Sequence, residues 1–272
     1  MFRPKPEGED GKTSKKDFFN KTIFGGDQTM TSPFLGEFLG TMTLIVLGDG
    51  VVAGALLKKS KGENAGWIAI TAGWAFAVLA GIFVATATGS PDAHLNPAVT
   101  VAGAVSSGDV SKLWVYIPAQ MLGAFAGAAI VWLHYLPHWA ATPEQDLKLA
   151  CFCTGPAIRD AKANWTSEII ATFFLILTIS ALVTNTLGAS GAIPRGVAPY
   201  MVGMLVWGIG LSLGGTTGYA INPARDLGPR IAHAVLPIAG KGTSDWGYAL
   251  IPVAGPVVGA VLAGLLVRAL GI

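Results

Sequence analysis

Two copies of the tripeptide Asn-Pro-Ala are the residues of this 272-residue chain whose types and spacing could do chemistry. They lie in AHLNPAVT at residues 93–100 and in YAINPARDLGPR at residues 219–230. Asparagine is one of the best N-terminal caps of a helix, and proline is favoured next because its fixed φ suits the first turn. Asn96-Pro97-Ala98 and Asn222-Pro223-Ala224 are therefore predicted to begin two helices.

The start of a helix carries the equivalent of about half a positive charge from its aligned peptide dipoles. Two helix starts that face each other would repel cations and protons. Capping uses the side-chain oxygen of each asparagine, and we expect both amide N–H donors of Asn96 and Asn222 to stay free for water or an alcohol hydroxyl. A molecule that accepts from both turns its own hydrogens away from its neighbours, which interrupts a proton wire.

The composition places these helices in a membrane. Only 12% of residues are charged, 52% are hydrophobic, and the mean hydropathy is +0.55. Apolar runs of the length that crosses a bilayer, about 20 residues, occur at 34–56, 66–88, 113–134, 167–187, 197–214 and 246–270. The two Asn-Pro-Ala segments, 96–106 and 222–236, are too short to cross and are predicted to be re-entrant half-helices.

The first thirty residues differ from the rest. Residues 1–30 are basic and lack both an apolar core and a small-residue cleavage site, so we expect a disordered cytoplasmic tail and no signal peptide. Residues 31–272 are expected to form one membrane domain. An even number of spans then places both termini in the cytoplasm, in a multi-pass protein of the plasma membrane.

The two halves of the membrane domain resemble each other. GEFLGT at 36–41 matches SEIIAT at 167–172, since both have Glu followed four residues later by Thr, and GAFAGA at 123–128 echoes GAVLAG at 259–264. This predicts repeat one at 34–134 and repeat two at 167–270. Three crossings reverse the direction of the chain, so the second repeat is inverted and the half-helices meet near the midplane.

The stretches rich in small residues before each asparagine, GSPDAHL and GGTTGYAI, are also predicted to belong to this site. Irregular backbone is tolerated within a membrane where it lines a cavity. The carbonyl groups of these stretches are therefore expected to supply a ladder of hydrogen-bond acceptors.

Other site classes are weakly supported. Cys151 and Cys153 have no further Cys or His at ligand spacing, which favours unpaired thiols over a metal site, and no cofactor is expected. GASG at 188–191, with His233 later in the chain, has the shape of an intramembrane serine protease motif, but Ser190 falls in a short loop between spans. A secondary active transporter would need a titratable or ion-coordinating pair where two neutral asparagines are expected.

These motifs make the chain similar to the major intrinsic protein family, the aquaporins and glycerol facilitators, over about residues 32–270. The matching features are AHLNPAVT, NPARDLGPR, Glu37 with Thr41, Glu168 with Thr172, and the Gly-Ala patterns of spans 3 and 6. The resemblance implies an aquaporin-like, all-α fold in the lipid bilayer, with six transmembrane helices around two half-helices. It also implies one pore per subunit and a homotetramer.

The resemblance further implies a selectivity filter of Trp74, Gly210, Tyr219 and Arg225. Water-selective members place a histidine at the position that matches Gly210, so glycine is expected to leave a wider hole, and Asp226 resembles the glycerol-facilitator branch. Two aromatic faces suit the CH backbone of a polyol, while arginine suits its hydroxyls. Glycerol facilitators often have phenylalanine at the position of Tyr219.

The predicted function is a passive channel for glycerol, other small neutral solutes and water that excludes protons and ions. A water-selective aquaporin is the alternative. No enzymatic activity and no nucleic-acid partner are expected. Urea, dihydroxyacetone and neutral lactic acid also fit a pore of this kind.

Several residues outside the filter are predicted to support it. Glu37 and Glu168 are expected to brace the half-helix loops by accepting their N–H groups. His94 is expected either to orient a loop carbonyl or to donate into the pore. Arg230 is left out of the site, and Asp49 could face the vestibule or cap a local bend.

Overall fold

The computed structural model describes residues 31–184 and 196–272 of the chain, which form ten α-helices and no strand. The helices are α1 Pro33–Leu56, α2 Gly66–Ala87, α3 Pro97–Ser107, α4 Ser111–His134, α5 Leu136–Ala141, α6 Gln145–Ala150, α7 Ala161–Val183, α8 Ala198–Leu213, α9 Pro223–Val235 and α10 Leu250–Leu270. The predicted tail, 1–30, and Ser190 of the GASG motif lie outside the described residues.

Six of these helices correspond to the six predicted spans. Helices α1, α2, α4, α7 and α10 have 21 to 24 residues and are apolar enough to cross a membrane. Helix α8 is apolar but has 16 residues, and residues 185–195 before it lie outside the described part of the chain. The chain is a multi-pass membrane protein with the predicted all-α architecture.

The two half-helices begin where the sequence predicts. Helix α3 has 11 residues and α9 has 13, and their N-caps are Asn96 and Asn222 in extended backbone conformation. Helix α3 ends at Gly108, whose φ of 82° is left-handed. Helix α9 ends beneath the ammonium group of Lys241, which donates to the carbonyl oxygens of His233, Ala234 and Leu236 at 2.6 to 2.7 Å. A cation at this position satisfies the last carbonyls and opposes the negative end of the helix dipole.

The helices of the two predicted repeats pack in corresponding ways. Helix α4 packs on α1, and α10 packs on α7 in the same way. Gly123 and Gly259 allow these contacts, since an added Cβ would lie 2.3 Å from the carbonyl oxygen of Phe38 and 2.5 Å from that of Ile169. Each half-helix then packs on the last span of the other repeat, α3 on α10 and α9 on α4. This arrangement brings the two helix starts together.

The bundle places small side chains inside and large apolar side chains outside. Ala98, Ala102, Ala260 and Ala263 are buried where α3 meets α10. Trp114, the most exposed large apolar side chain among the described residues, is 80% exposed. An apolar outer surface is expected of a protein whose solvent is lipid.

Candidate functional site

The two asparagines join the half-helices at the centre of the bundle. Nδ2 of Asn96 donates to the carbonyl oxygen of Ile221 at 2.8 Å, and Nδ2 of Asn222 donates to that of Leu95 at 2.8 Å. Their side-chain oxygens cap the helices by accepting from backbone N–H groups at 2.8 to 3.2 Å. The expectation that both amide N–H donors stay free is wrong, because one of each pair holds the opposite loop. One donor remains on each asparagine.

The loops that lead to the asparagines have the same unusual backbone. Four residues other than glycine have positive φ: Ala93 at 45°, Leu95 at 53°, Tyr219 at 39° and Ile221 at 42°. A left-handed residue of this kind costs about 1–3 kcal/mol and persists only where its surroundings fix it. The strained residues therefore have the same positions in both loops, three residues and one residue before the asparagine.

Glu37 and Glu168 supply the groups that fix these loops. Both side chains are fully buried. Glu37 accepts hydrogen bonds of 2.6 to 2.8 Å from four donors: Ser90 Oγ, His94 N, Leu95 N and Gln120 Nε2. Glu168 accepts hydrogen bonds of 2.6 to 3.0 Å from three donors: Thr217 Oγ1, Ala220 N and Ile221 N. Each carboxylate thus binds the N–H groups of the two residues before an asparagine, as expected of a brace.

A cavity of about 790 Å³ runs past the asparagines. Its lining includes apolar side chains from the spans, among them Leu44, Val78, Ile176 and Val206. The lining also includes the loop residues 91–96 and 219–222, with Arg225. A cavity lined by both apolar side chains and polar groups suits a small molecule with carbon and hydroxyl faces.

Two of the predicted filter residues, Trp74 and Arg225, are in direct contact. The guanidinium carbon of Arg225 lies 4.0 Å from the centroid of the Trp74 ring. Nη1 of Arg225 donates to the carbonyl oxygen of Phe152 at 3.2 Å and to Oδ1 of Asp49 at 3.4 Å. Trp74 in turn lies on Gly48, where an added Cβ would be 2.2 Å from the ring. Sequence reasoning missed Phe152 as a partner of the arginine.

Tyr219 and Gly210, the other two predicted filter residues, are also in contact, but their roles differ from the prediction. The Tyr219 ring lines the cavity, whereas Gly210 does not. A Cβ on Gly210 would lie 2.8 Å from Cζ of Tyr219. Glycine therefore acts on the cavity through Tyr219, since the tyrosine ring fills the space that a side chain at position 210 would take. The hydroxyl of Tyr219 is buried and has no hydrogen-bond partner among the described residues.

Asp226 and Arg230 anchor α9 to the loops above it. Asp226 accepts from the backbone N–H and the hydroxyl of Thr154 at 2.8 and 2.7 Å and from Nε of Arg230 at 2.8 Å. Arg230 is fully buried and donates to the carbonyl oxygens of Thr154, Ser244 and Asp245. The sequence-based prediction left Arg230 out of the candidate site and so did not include this ion pair. The spacing of four residues, which places both charges on one helix face, was the available signal.

His94 lies beside the cavity at the other end of the asparagine pair. Its backbone N–H is held by Glu37, its Nδ1 lies 3.1 Å from the Thr100 hydroxyl, and its ring packs edge-on against Tyr116 at 4.9 Å. His94 is one of the residues that line the cavity.

The thiols and His233 lie apart from the cavity. Cys151 and Cys153 are buried and free, and burial raises the pKa of both well above the usual value of a thiol. Nδ1 of His233 lies 2.9 Å from the Ser244 hydroxyl. Among the described residues, no three His, Cys, Asp or Glu side chains are placed to hold a metal ion.

A bundle of six helices in which two half-helices meet asparagine to asparagine defines a class of membrane channels. The chain belongs to the family described as major intrinsic protein, whose model matches residues 27–267. It is 53% identical to the probable glycerol uptake facilitator protein of Thermotoga maritima, over 85% of this chain and 96% of that one. It is 55% identical to glycerol uptake facilitator protein 3 of Lactiplantibacillus plantarum, over 87% and 95%.

A solved structure supports the same fold. The aquaglyceroporin of Plasmodium falciparum superposes with a TM-score of 0.73 at 31% identity. The match covers 86% of this chain and 94% of that one.

Proposed function

We propose that the chain is a passive channel for glycerol and other small neutral solutes that also passes water and excludes protons and ions. The observation that carries this proposal is the seating of Arg225 against Trp74, with the Tyr219 ring in the same cavity. The names of the relatives, which are glycerol uptake facilitators and an aquaglyceroporin, favour it over a water-selective aquaporin.

The filter suits a polyol because each face of the solute has a matching group. The rings of Trp74 and Tyr219 offer apolar surface to the CH side of glycerol. Nε and Nη2 of Arg225 make no hydrogen bond to the described residues, so they are available to the hydroxyl groups. Farther along, Asn96 and Asn222 each offer the one N–H that the opposite loop does not use.

The same groups oppose the passage of charge. The helix starts at Asn96 and Asn222 present their positive dipole ends to the cavity, and Arg225 adds a permanent guanidinium. A solute held by both asparagines cannot pass a proton to the next molecule in the file. The two asparagines at the centre of the bundle are neutral, which favours passive flow over transport that is coupled to an ion gradient.

The setting of the channel is proposed from the family and the apolar outer surface. Residues 31–272 form the channel domain, with repeat one at 34–134, repeat two at 167–270, and the basic tail 1–30 in the cytoplasm. The protein is a homotetramer in the plasma membrane with both termini on the cytoplasmic side. No cofactor takes part, and no reaction is catalysed.

Stopped-flow light scattering on proteoliposomes tests the function directly. Vesicles are challenged in parallel with glycerol and with an impermeant sugar, and empty vesicles serve as the control. We expect fast shrinkage in both challenges, followed by fast re-swelling in glycerol only. Fast shrinkage without re-swelling would identify a water-selective aquaporin. The same assay with urea, dihydroxyacetone and neutral lactic acid ranks the other solutes.

A further inference from the structure

Asp49 is a carboxylate buried within the apolar helix α1, and the filter described above gives it no role. The residue is 1% exposed, and its Oδ2 has no hydrogen-bond partner among the described residues. Burying an ionised carboxylate is costly unless a charge or hydrogen bonds compensate, so ionisable residues within spans usually serve a function. The structure offers Asp49 one compensating group, since its Oδ1 lies 3.4 Å from Nη1 of Arg225.

The charges around Asp49 make Arg225 its counter-ion. Asp49 interacts electrostatically with Arg225 and Asp226 at the start of α9 and with Cys151, the residue after α6. Asp226 is already paired with Arg230, through contacts of 2.8 and 3.1 Å. Two arginines thus face two aspartates, and Arg225 is left with Asp49 as its carboxylate partner within 4.0 Å in the described part of the chain.

Asp49 does not line the cavity, so any effect on a solute must act through Arg225. The guanidinium of Arg225 is held from one side by Asp49 and the Phe152 carbonyl, both through Nη1, and from its face by the Trp74 ring. Of these three contacts, the carboxylate alone carries a full opposite charge. Charge-assisted hydrogen bonds are roughly twice as strong as neutral ones.

We propose that Asp49 is a positioning residue that holds the Arg225 guanidinium against the wall of the filter and so sets the width available to bulky solutes. The proposal deepens the proposed function and rests on it, because the solute concerned is glycerol. Without the carboxylate charge, the guanidinium swings on its flexible stem into the cavity. This movement obstructs glycerol more than water, because glycerol is the larger molecule.

A double-mutant cycle on stability tests the pairing. Full-length protein in detergent is compared as wild type, Asp49→Asn, Arg225→Val and the double variant, by the midpoint of thermal unfolding. Removing one member of a buried pair leaves an uncompensated charge, whereas removing both does not. We therefore expect the double variant to unfold at a higher temperature than either single variant. Recovery of folded double variant when Asp49→Asn alone fails to fold would give the same support. The pairing would be overturned if the decreases in unfolding midpoint of the two single variants simply added in the double variant. An Asp49→Asn protein as stable as wild type would also overturn it.

The same four proteins in proteoliposomes test the effect on selectivity. Asp49→Asn should lower the ratio of glycerol to water permeability about fivefold, because a charge-assisted hydrogen bond is roughly twice as strong as a neutral one. In the Arg225→Val background the same change should leave the ratio as it was. Thr43→Val, also on α1, is the matched control and should behave as wild type.

Two results of the flux experiment contradict the role of Asp49. One is an unchanged ratio in Asp49→Asn, and the other is the same fall in ratio with and without Arg225. Wild-type vesicles that pass water but no glycerol would instead overturn the proposed function. In that case the stability cycle still decides whether Asp49 and Arg225 are a pair, so the two failures can be told apart.

Discussion

Glycines seat both aromatic rings of the candidate filter. Trp74 lies on Gly48 and Tyr219 lies on Gly210, in each case so closely that an added Cβ would be within 2.8 Å of the ring. One side of each ring is therefore supported by glycine backbone, which cannot rotate away as a side chain can. The rings can therefore act as rigid walls against which the solute and the Arg225 guanidinium are placed.

Replacing Tyr219 by phenylalanine should change transport little. The hydroxyl points into the notch at Gly210 and is buried without a partner among the described residues, so it offers nothing to a solute. We expect Tyr219→Phe to keep glycerol and water permeability within about twofold of wild type. Removing an unsatisfied buried hydroxyl should also stabilise the protein, by about 1 kcal/mol. A large rise or fall in glycerol flux in the proteoliposome assay would show that the hydroxyl faces the pore.

Replacing Gly210 by histidine should close the filter to glycerol before it closes it to water. A Cβ at this position would lie 2.8 Å from Cζ of Tyr219 and 2.9 Å from Cγ2 of Thr71, so the tyrosine ring must move towards the cavity. We expect glycerol flux to fall by at least tenfold more than water flux, about 1.4 kcal/mol of added barrier. Gly208→Ala, on the same helix with open space around it, is the control. Equal retention of both fluxes would contradict this account of the filter.

The two loops before the asparagines behave as elements that depend on one carboxylate each. Left-handed backbone at Leu95 and Ile221 turns their carbonyl oxygens towards the opposite asparagine. Glu37 and Glu168 hold the N–H groups of the same two residues. The cost of the strained backbone is thus offset by charge-assisted hydrogen bonds of the kind that a carboxylate makes with several donors.

The two braces should differ in their sensitivity to Glu→Gln substitution. Each oxygen of Glu37 accepts two donors, so the NH₂ group of a glutamine breaks two of these four hydrogen bonds in either orientation, although the Ser90 hydroxyl can rotate to accept from it. Glutamine at Glu168 can turn its NH₂ group towards Ile221 N and orphan only one. An orphaned buried N–H costs about 1–3 kcal/mol, and the lost charge weakens four hydrogen bonds at Glu37 against three at Glu168, so Glu37→Gln should lose more stability than Glu168→Gln. Thermal unfolding of both variants in detergent checks this order. The reverse order would show that the contacts of Glu37 with Ser90 or Gln120 contribute little to stability.

At the scale of the whole molecule, the parts that the sequence predicts are those that are duplicated or periodic. The half-helices, the spans and the two glutamate braces each occur twice at similar offsets, and a helix cap or an apolar run is a local signal. The missed contacts are long-range. Gln120 reaches Glu37 across 83 positions and Arg225 reaches Asp49 across 176, which no local pattern encodes.

The hydrogen bonds of the two asparagines also show that local contacts could be predicted from the sequence and long-range contacts could not. Capping by the side-chain oxygen is local and was predicted correctly, within three residues of each asparagine. The use of one N–H by the opposite loop depends on how two segments more than 120 residues apart meet. That meeting requires the packing of the two repeats, which composition and periodicity do not specify.

The two repeats interlock, so neither half-helix is positioned by its own repeat alone. Gly264 on α10 lies against α3, where an added Cβ would be 2.9 Å from the Ala102 carbonyl oxygen. Gly228 on α9 lies against α4, where an added Cβ would be 2.7 Å from the Ala124 methyl group and 3.1 Å from Phe125 N. These two contacts set the distance between the asparagines from opposite sides.

Gly264→Val and Gly228→Val should therefore have similar effects on the whole channel. Overpacking a close helix contact costs typically about 1–3 kcal/mol, and here the obstruction includes backbone that cannot rotate away. We expect lower unfolding midpoints and a parallel fall in water and glycerol permeability, because the asparagine pair is disturbed and the filter is not entered. Gly103→Ala on α3, where the added Cβ makes an ordinary contact of 3.7 Å with the His94 ring, is the control. A variant that changed only the ratio of glycerol to water permeability would show that these glycines act on the filter. If both variants were as stable as wild type, the close contacts between the half-helices and the spans would not be needed for stability.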